Sequence, residues 1–211
     1  MVRSAEDSSD RCGMSRRSFV AGASATAVGS AMLDSNQAAG QATAGSAGDV
    51  PIIGPDAVPM SLQINGTTHT LALPPQITLA EALRGPLGLT GTKIACNRGA
   101  CSACTVWLDG VPIASCMTLA IDSVGRSVTT IEGLADGDRL HPVQAAFIEH
   151  DAMQCGFCTP GLVMSCAALL ERNADPSLDD VKAAISGHLC RCGAYQNVVA
   201  ATMAAARERK G

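Results

Sequence analysis

The sequence predicts an α+β chain in which a strand-rich unit is followed by a four-helix bundle. Three observations carry this. Apolar residues alternate with polar ones between about residues 60 and 131, and recur with helical period from about residue 141 onward. Asn65-Gly66 and Asp109-Gly110 each stand between two alternating runs, the signature of two-residue hairpins. Eight of the ten cysteines form two tight quartets, one in each half: Cys96, Cys101, Cys104 and Cys116, then Cys155, Cys158, Cys190 and Cys192.

Composition narrows the classes. The net charge of −4 leaves no basic footprint for nucleic acid. Aromatic residues make up only 2% of the 211, so two small cores need a staple beyond apolar burial, and metal clusters can serve. No Ser/His/Asp set or paired carboxylates point to hydrolysis, and no G-x-G-x-x-G is present.

Residues 1–48 read as an export signal and flexible linker. Ser15-Arg16-Arg17-Ser18-Phe19-Val20 precedes an uncharged run from Ala21 to Leu33, the pattern of a twin-arginine signal. Ala21 stands where a basic residue is usual, Ala42-Thr43-Ala44 offers a cleavage site, and Met14 is an alternative start. The run is too short and too small-residued to span a bilayer. The twin-arginine route carries folded cargo, so metal clusters are inserted before the chain meets an oxidising periplasm. Cys12 lies in this leader.

The first unit is expected over residues 58–134. Met60 to Asn65 and Thr68 to Leu73 make one hairpin, Thr105 to Asp109 and Val111 to Ser115 a second, and Ser127 to Ile131 a last strand. Thr78-Leu79-Ala80-Glu81 is a capping box opening a short helix that Gly85-Pro86 ends. Two hairpins around one helix make a β-grasp arrangement. The loop Cys96-x4-Cys101-x2-Cys104 lies between helix and second hairpin, with Cys116 further on, and this is the spacing of a plant-type [2Fe–2S] site. Gly99, Ala100, Ser102 and Ala103 are small enough to wrap a cluster and to leave backbone N–H groups facing the sulfurs. A disulfide framework and a zinc site are the competing uses of such cysteines. His69 alternates with apolar neighbours and reads as structural or solvent-facing.

The second unit is expected over residues 140–209. A first helix covers His141 to Asp151. Thr159 is a capping candidate and Pro160 suits the first turn of a helix running to about Arg172. Ser177, with Asp180 three residues on, caps a third helix, and an Ala-rich fourth spans Tyr195 to Glu208. Cys155-x2-Cys158 and Cys190-x-Cys192 fall at helix ends, and the narrow bite of the latter suits two ligands on one iron. The spacing is not that of a zinc ribbon, although a zinc site stays open on geometry. Arg191 either donates to cluster sulfurs or faces solvent, and Cys166 reads as a buried free thiol.

Together the quartets resemble the two-cluster iron–sulfur subunit of the xanthine oxidase family of molybdenum hydroxylases, with periplasmic aldehyde oxidoreductases the most similar group. Gln154-Cys155-Gly156-Phe157-Cys158-Thr159-Pro160-Gly161 and Cys190-Arg191-Cys192-Gly193-Ala194-Tyr195 carry that resemblance beside the Cys96 loop. It implies a β-grasp plant-type ferredoxin domain and a four-helix-bundle [2Fe–2S] domain. It implies electron transfer from a molybdenum–pterin centre on a large subunit, through the helical-domain cluster and then the β-grasp cluster, to FAD on a medium subunit. Gln154 and Cys192 match the positions that approach the molybdopterin. Aldehyde oxidation to carboxylic acids is the reaction it implies. An isoquinoline-type or cytochrome c-linked enzyme and a free two-cluster ferredoxin-like carrier are the alternatives. The family usually has glycine where Ser102 stands; a serine fits there without strain if its φ is negative.

Overall fold

The computed structural model describes residues 53–209. Arg16-Arg17, Ala42-Thr43-Ala44, Met14 and Cys12 lie outside them. Among the described residues no helix is long and apolar enough to cross a membrane.

The strands form one five-stranded sheet. β1 (Val58–Ile64) pairs antiparallel with β2 (Thr67–Leu73) in the register Ile64↔Thr67. Asn65 and Gly66 both take positive φ, 49° and 78°, the mirror-image turn that matches the twist of paired strands. β3 (Thr105–Leu108) and β4 (Val111–Ala114) close the second hairpin across Asp109 and Gly110, which take the same conformation. β5 (Ser127–Thr129) then slots between the hairpins, parallel to β1 and antiparallel to β3. The order is β2-β1-β5-β3-β4.

Helix α1 (Leu79–Arg84) covers one face of this sheet. The Thr78 hydroxyl accepts from the Glu81 N–H, and the Glu81 carboxylate accepts from the Thr78 N–H at 3.0 Å, so the capping box is complete. Leu79, Ala82 and Leu83 bury against Leu62, Ile64, Val106 and Val128. Side chains alternate along a strand, so Val106 and Leu108 enter this core while Trp107 faces the other way. Trp107 packs into the second core and its Nε1–H donates to the Met164 carbonyl at 2.9 Å.

The second core is helical. α2 (Pro142–Glu149), α3 (Thr159–Arg172), α4 (Leu178–Ile185) and α5 (Tyr195–Glu208) enclose Phe147, Leu162, Cys166, Leu170, Val198 and Ala201. α2 is one turn shorter than the expected span. His141 sits before it as N-cap, its Nδ1 accepting from the Val143 N–H. α3 is buried on nearly every side from Thr159 to Leu170, because it lies between the outer face of β3 and β4 and the other helices. Thr159 does not cap it. Cys158 holds the N-cap position, and Thr159 is already helical with its hydroxyl buried and unpartnered.

Candidate metal centres

The first quartet is built on a loop that repeatedly enters the left-handed region. Asn97, Gly99 and Ser102 take φ of 48°, 72° and 55°. Around Asn97 and Gly99 the turns aim successive N–H groups at the thiols. The Gly99 N–H donates to Cys116 Sγ and the Ala100 N–H to Cys96 Sγ, both at 3.3 Å. Cys116 arrives from the single turn Ser115–Met117 after β4. The Ser115 hydroxyl locks that turn to the loop by donating to the Cys104 carbonyl at 2.6 Å. The thiols face each other in pairs, Cys96 with Cys101 and Cys104 with Cys116. The Arg98 N–H, followed by the Cys101 thiol, pulls the Cys96 thiol down to about 7. Burial pushes Cys116 up. Ala80 of α1 packs behind Cys104 and Cys116.

Ser102 overturns the expectation of a negative φ. Its carbonyl accepts from the Thr105 N–H at 3.2 Å and from the Thr105 hydroxyl at 2.7 Å. Its hydroxyl donates to the Gly187 carbonyl at 3.1 Å. These contacts hold it in a conformation that costs a non-glycine residue roughly 1–2 kcal/mol.

The second quartet joins two helix ends. Cys155 and Cys158 precede α3, with Gly156 at φ 78° between them; Cys190 and Cys192 lie between α4 and α5. Cys155 faces Cys192, and Cys158 faces Cys190. The two thiols of Cys190-x-Cys192 thus meet opposite partners across the quartet and not each other. The Tyr195 hydroxyl accepts from the Cys190 N–H at 2.8 Å and donates to the His188 carbonyl at 2.9 Å. That bridge holds Cys190 on the half-buried side, while Cys192 stays exposed beside exposed Cys155. Burial, then the Cys190 thiol, pushes Cys158 up to about 12. The Phe157 N–H lowers Cys155. Burial opposes ionisation of Cys190, but the Ala194 N–H, then the Cys158 thiol and further N–H groups outweigh it and lower the thiol.

The quartets are close neighbours. Cys96, Cys101, Cys155 and Cys158 line one cavity of about 370 Å³, closed by Phe157 and Leu189 among others. The Leu189 N–H donates to the Cys101 carbonyl at 3.2 Å, so the two cysteine loops touch directly. Gly161, in the first turn of α3, approaches so closely that an added Cβ would lie 2.3 Å from the Ser102 carbonyl oxygen.

The donors suit dinuclear iron–sulfur clusters. Nine cysteines among the described residues are free thiols, as cluster ligation requires and a disulfide framework does not. Each quartet is two facing pairs of thiols with backbone N–H groups aimed at sulfur, an environment that suits the four thiolates of a [2Fe–2S] cluster. Cys166 is separate, fully buried in α3, its thiol pushed up to about 11 by burial. Arg191 and Gln154 are exposed, and His69 is half-buried on β2 away from both quartets. Tyr195 closes the Cys190 motif in the sequence, but nothing there announces that its hydroxyl organises the loop. The buried pair Ser165 and His188, 2.7 Å apart, leaves no sequence signal because its members come from separate elements.

Residues 62–123 match the family described as 2Fe-2S iron-sulfur cluster binding domain, and residues 130–203 match the [2Fe-2S] binding domain family. The nicotine 6-hydroxylase small subunit of Paenarthrobacter nicotinovorans is 47% identical over 148 residues, covering 70% of this chain and 89% of that one. The aldehyde oxidoreductase iron-sulfur-binding subunit of Escherichia coli K12 is 43% identical, covering 74% and 75%. In the crystal structure of quinoline 2-oxidoreductase from Pseudomonas putida 86, one chain matches with a TM-score of 0.71 and 42% identity, over 74% of this chain and 98% of that one. The aldehyde oxidoreductase of Desulfovibrio gigas matches with a TM-score of 0.69 and 39% identity over 73% of this chain, which spans 17% of that longer protein. Two cluster-binding domains in this order, and these relatives, show that the chain belongs to the iron–sulfur subunits of the xanthine oxidase family of molybdenum hydroxylases.

Proposed function

We propose that this chain is the electron-transfer subunit of a periplasmic molybdenum hydroxylase that oxidises aldehydes to carboxylic acids, relaying electrons from the molybdenum–pterin centre of a large subunit through two [2Fe–2S] clusters to FAD on a medium subunit. The observation that carries it is the joining of two thiol quartets by one cavity and a direct hydrogen bond between their loops. When bound, the clusters supply one-electron redox chemistry; substrate chemistry belongs to the partner.

The chain's own residues do three things. Cys96, Cys101, Cys104 and Cys116 would hold one cluster, and Cys155, Cys158, Cys190 and Cys192 the other. The N–H groups of Gly99 and Ala100 stabilise negative charge on the sulfurs of the first set, and those of Phe157 and Ala194 do so in the second. Exposure is graded: Cys155, Cys192 and Gln154 present the second quartet at the surface, where the partner's molybdopterin would approach. Cys101, Cys104 and Cys116 are buried under a loop whose exposed tip, Asn97 to Ala100, offers the exit toward flavin.

Purification with its partner subunits tests this. Roughly four irons per chain are expected for two such clusters, with molybdenum and flavin on separate subunits and aldehyde-dependent bleaching. A colourless chain, or one that purifies alone with full iron, overturns it. Haem in place of flavin would move the exit to a cytochrome c. The 47% identity to a nicotine 6-hydroxylase subunit favours a second reading, hydroxylation of an N-heterocycle; turnover of an N-heteroaromatic ring compound in preference to an aldehyde would establish it. Export rests on Arg16-Arg17. Replacing both by lysine should hold the complex in the cytoplasm, and unchanged periplasmic activity would refute twin-arginine export.

A further inference from the structure

Ser102 occupies a place that its type does not favour, and three contacts explain what holds it there. Its carbonyl is clamped by Thr105 and covered by Gly161. Its hydroxyl reaches across to the Gly187 carbonyl, 85 positions away in the chain. Gly187 lies three residues before Cys190, and Leu189 between them returns a hydrogen bond to the Cys101 carbonyl. Residues 101–102 and 187–189 thus form a reciprocal clasp, one bond in each direction. Each arm ends beside a cysteine. A positive φ serves this clasp by turning the carbonyl toward Thr105 while the side chain points to Gly187. Glycine would adopt that φ without strain but would have no hydroxyl to give.

We propose that the Ser102 hydroxyl is a positioning group that fixes the first cysteine loop against the second, and so sets the separation and mutual orientation of the two clusters. This rests on the proposed assignment of the quartets to clusters, whose failure would show in the parent protein as missing iron and colour before any variant is made.

The test uses the cluster-loaded protein with Ser102→Gly, Ser102→Ala and Ser102→Asn. Glycine removes hydroxyl and strain together, and alanine removes the hydroxyl alone. Asparagine tolerates positive φ and carries a donor that the adjoining cavity of about 240 Å³, lined also by Ser165 and His188, has room for. Two readouts are needed: the magnetic interaction between the two reduced clusters by electron paramagnetic resonance, and hydrogen exchange at the Leu189 amide. In both Gly and Ala variants the splitting should change, and Leu189 exchange should quicken about fivefold, which corresponds to the net worth of one hydrogen bond of about 1 kcal/mol. Asparagine should restore both. Unchanged splitting and exchange in the Gly and Ala variants would overturn the proposal. So would a change in Gly alone, which would assign the effect to backbone conformation.

Discussion

At the scale of single residues, the closest packing between the two halves depends on a missing side chain. Gly161 is helical, where alanine is ordinarily the better residue by roughly 1 kcal/mol. Its Cα nevertheless faces backbone, with Ser102 O at 2.3 Å and Ala103 Cα at 3.2 Å from an added Cβ. Backbone cannot swing aside as a flexible side chain can. Gly161→Ala should therefore destabilise the protein by about 1–3 kcal/mol despite the propensity gain, seen as a lower urea midpoint. Gly88→Ala is the control. It has φ +67° with open space around it, so only the left-handed penalty of roughly 1–2 kcal/mol applies. A Gly161→Ala protein more stable than its parent would show that α3 does not seat on the loop in this way.

At the scale of elements, most of what builds the first centre is local and was legible. Asn65-Gly66, Asp109-Gly110 and the Thr78–Glu81 box state their conformations in adjacent residues, and the structure follows them. Ser177 and Asp180 do the same for α4. What escaped was set by distant contacts. Ser102 takes a positive φ because Thr105 and Gly187 hold it. Thr159 lost its cap to a helix that begins one residue early. The two thiols of Cys190-x-Cys192 face opposite partners, while Tyr195 holds the Cys190 backbone N–H. Spacing names candidate ligands, but which thiol faces which follows from tertiary bonds.

The α1 cap yields a pH-dependent expectation. Hydrogen bonds from the Thr78 N–H, and next from its hydroxyl, hold the Glu81 carboxyl below its ordinary 4.5. A carboxylate depressed in the folded state stabilises it above the unfolded value, and that contribution is lost as pH falls from about 4.5 through the lower folded value. Glu81 is exposed, so the charge effect is small. Thr78→Ala removes the cap and should cost about 1 kcal/mol at pH 7. It should also flatten the stability loss below pH 4.5 in part, because alanine removes the hydroxyl but keeps the larger N–H contribution. An equal acid slope in both proteins would show that the Thr78 hydroxyl has no share in holding the Glu81 carboxyl down. Because Ala80 of α1 backs Cys104 and Cys116, the variant should lose iron from the first centre sooner on warming.

At the scale of the whole molecule, the described residues form one unit with two cores, and the two centres meet where the cores join. Cys192→Ser separates them chemically. It breaks the exposed Cys155–Cys192 pair and leaves the first quartet untouched. One of two electron paramagnetic resonance signals should vanish, iron should fall by about half, and substrate-dependent reduction should stop in the assembled enzyme. Unchanged turnover with an artificial acceptor would refute the proposed electron order.

Cooperation between the cores has its own reporter. The chain contains a single tryptophan, and Trp107 stands on the sheet but packs in the helical core. Its Nε1–H reaches the Met164 carbonyl of buried α3. Its fluorescence thus reads separation of the halves, while far-ultraviolet circular dichroism reads their secondary structure. Gly161 against Ser102, Leu189 to Cys101 and Trp107 to Met164 all cross the same boundary. Neither core can part from the other without breaking them together, so the two signals should report one coincident urea transition. Trp107→Phe removes this extra donor from a carbonyl that lies within the ladder of α3, at a cost of about 0.5–1.5 kcal/mol. In that variant circular dichroism should still show a single transition at lower urea. A parent whose fluorescence shifts before its circular dichroism would mean that the halves separate first, and that the clasp between the cysteine loops is weaker than the cores it joins.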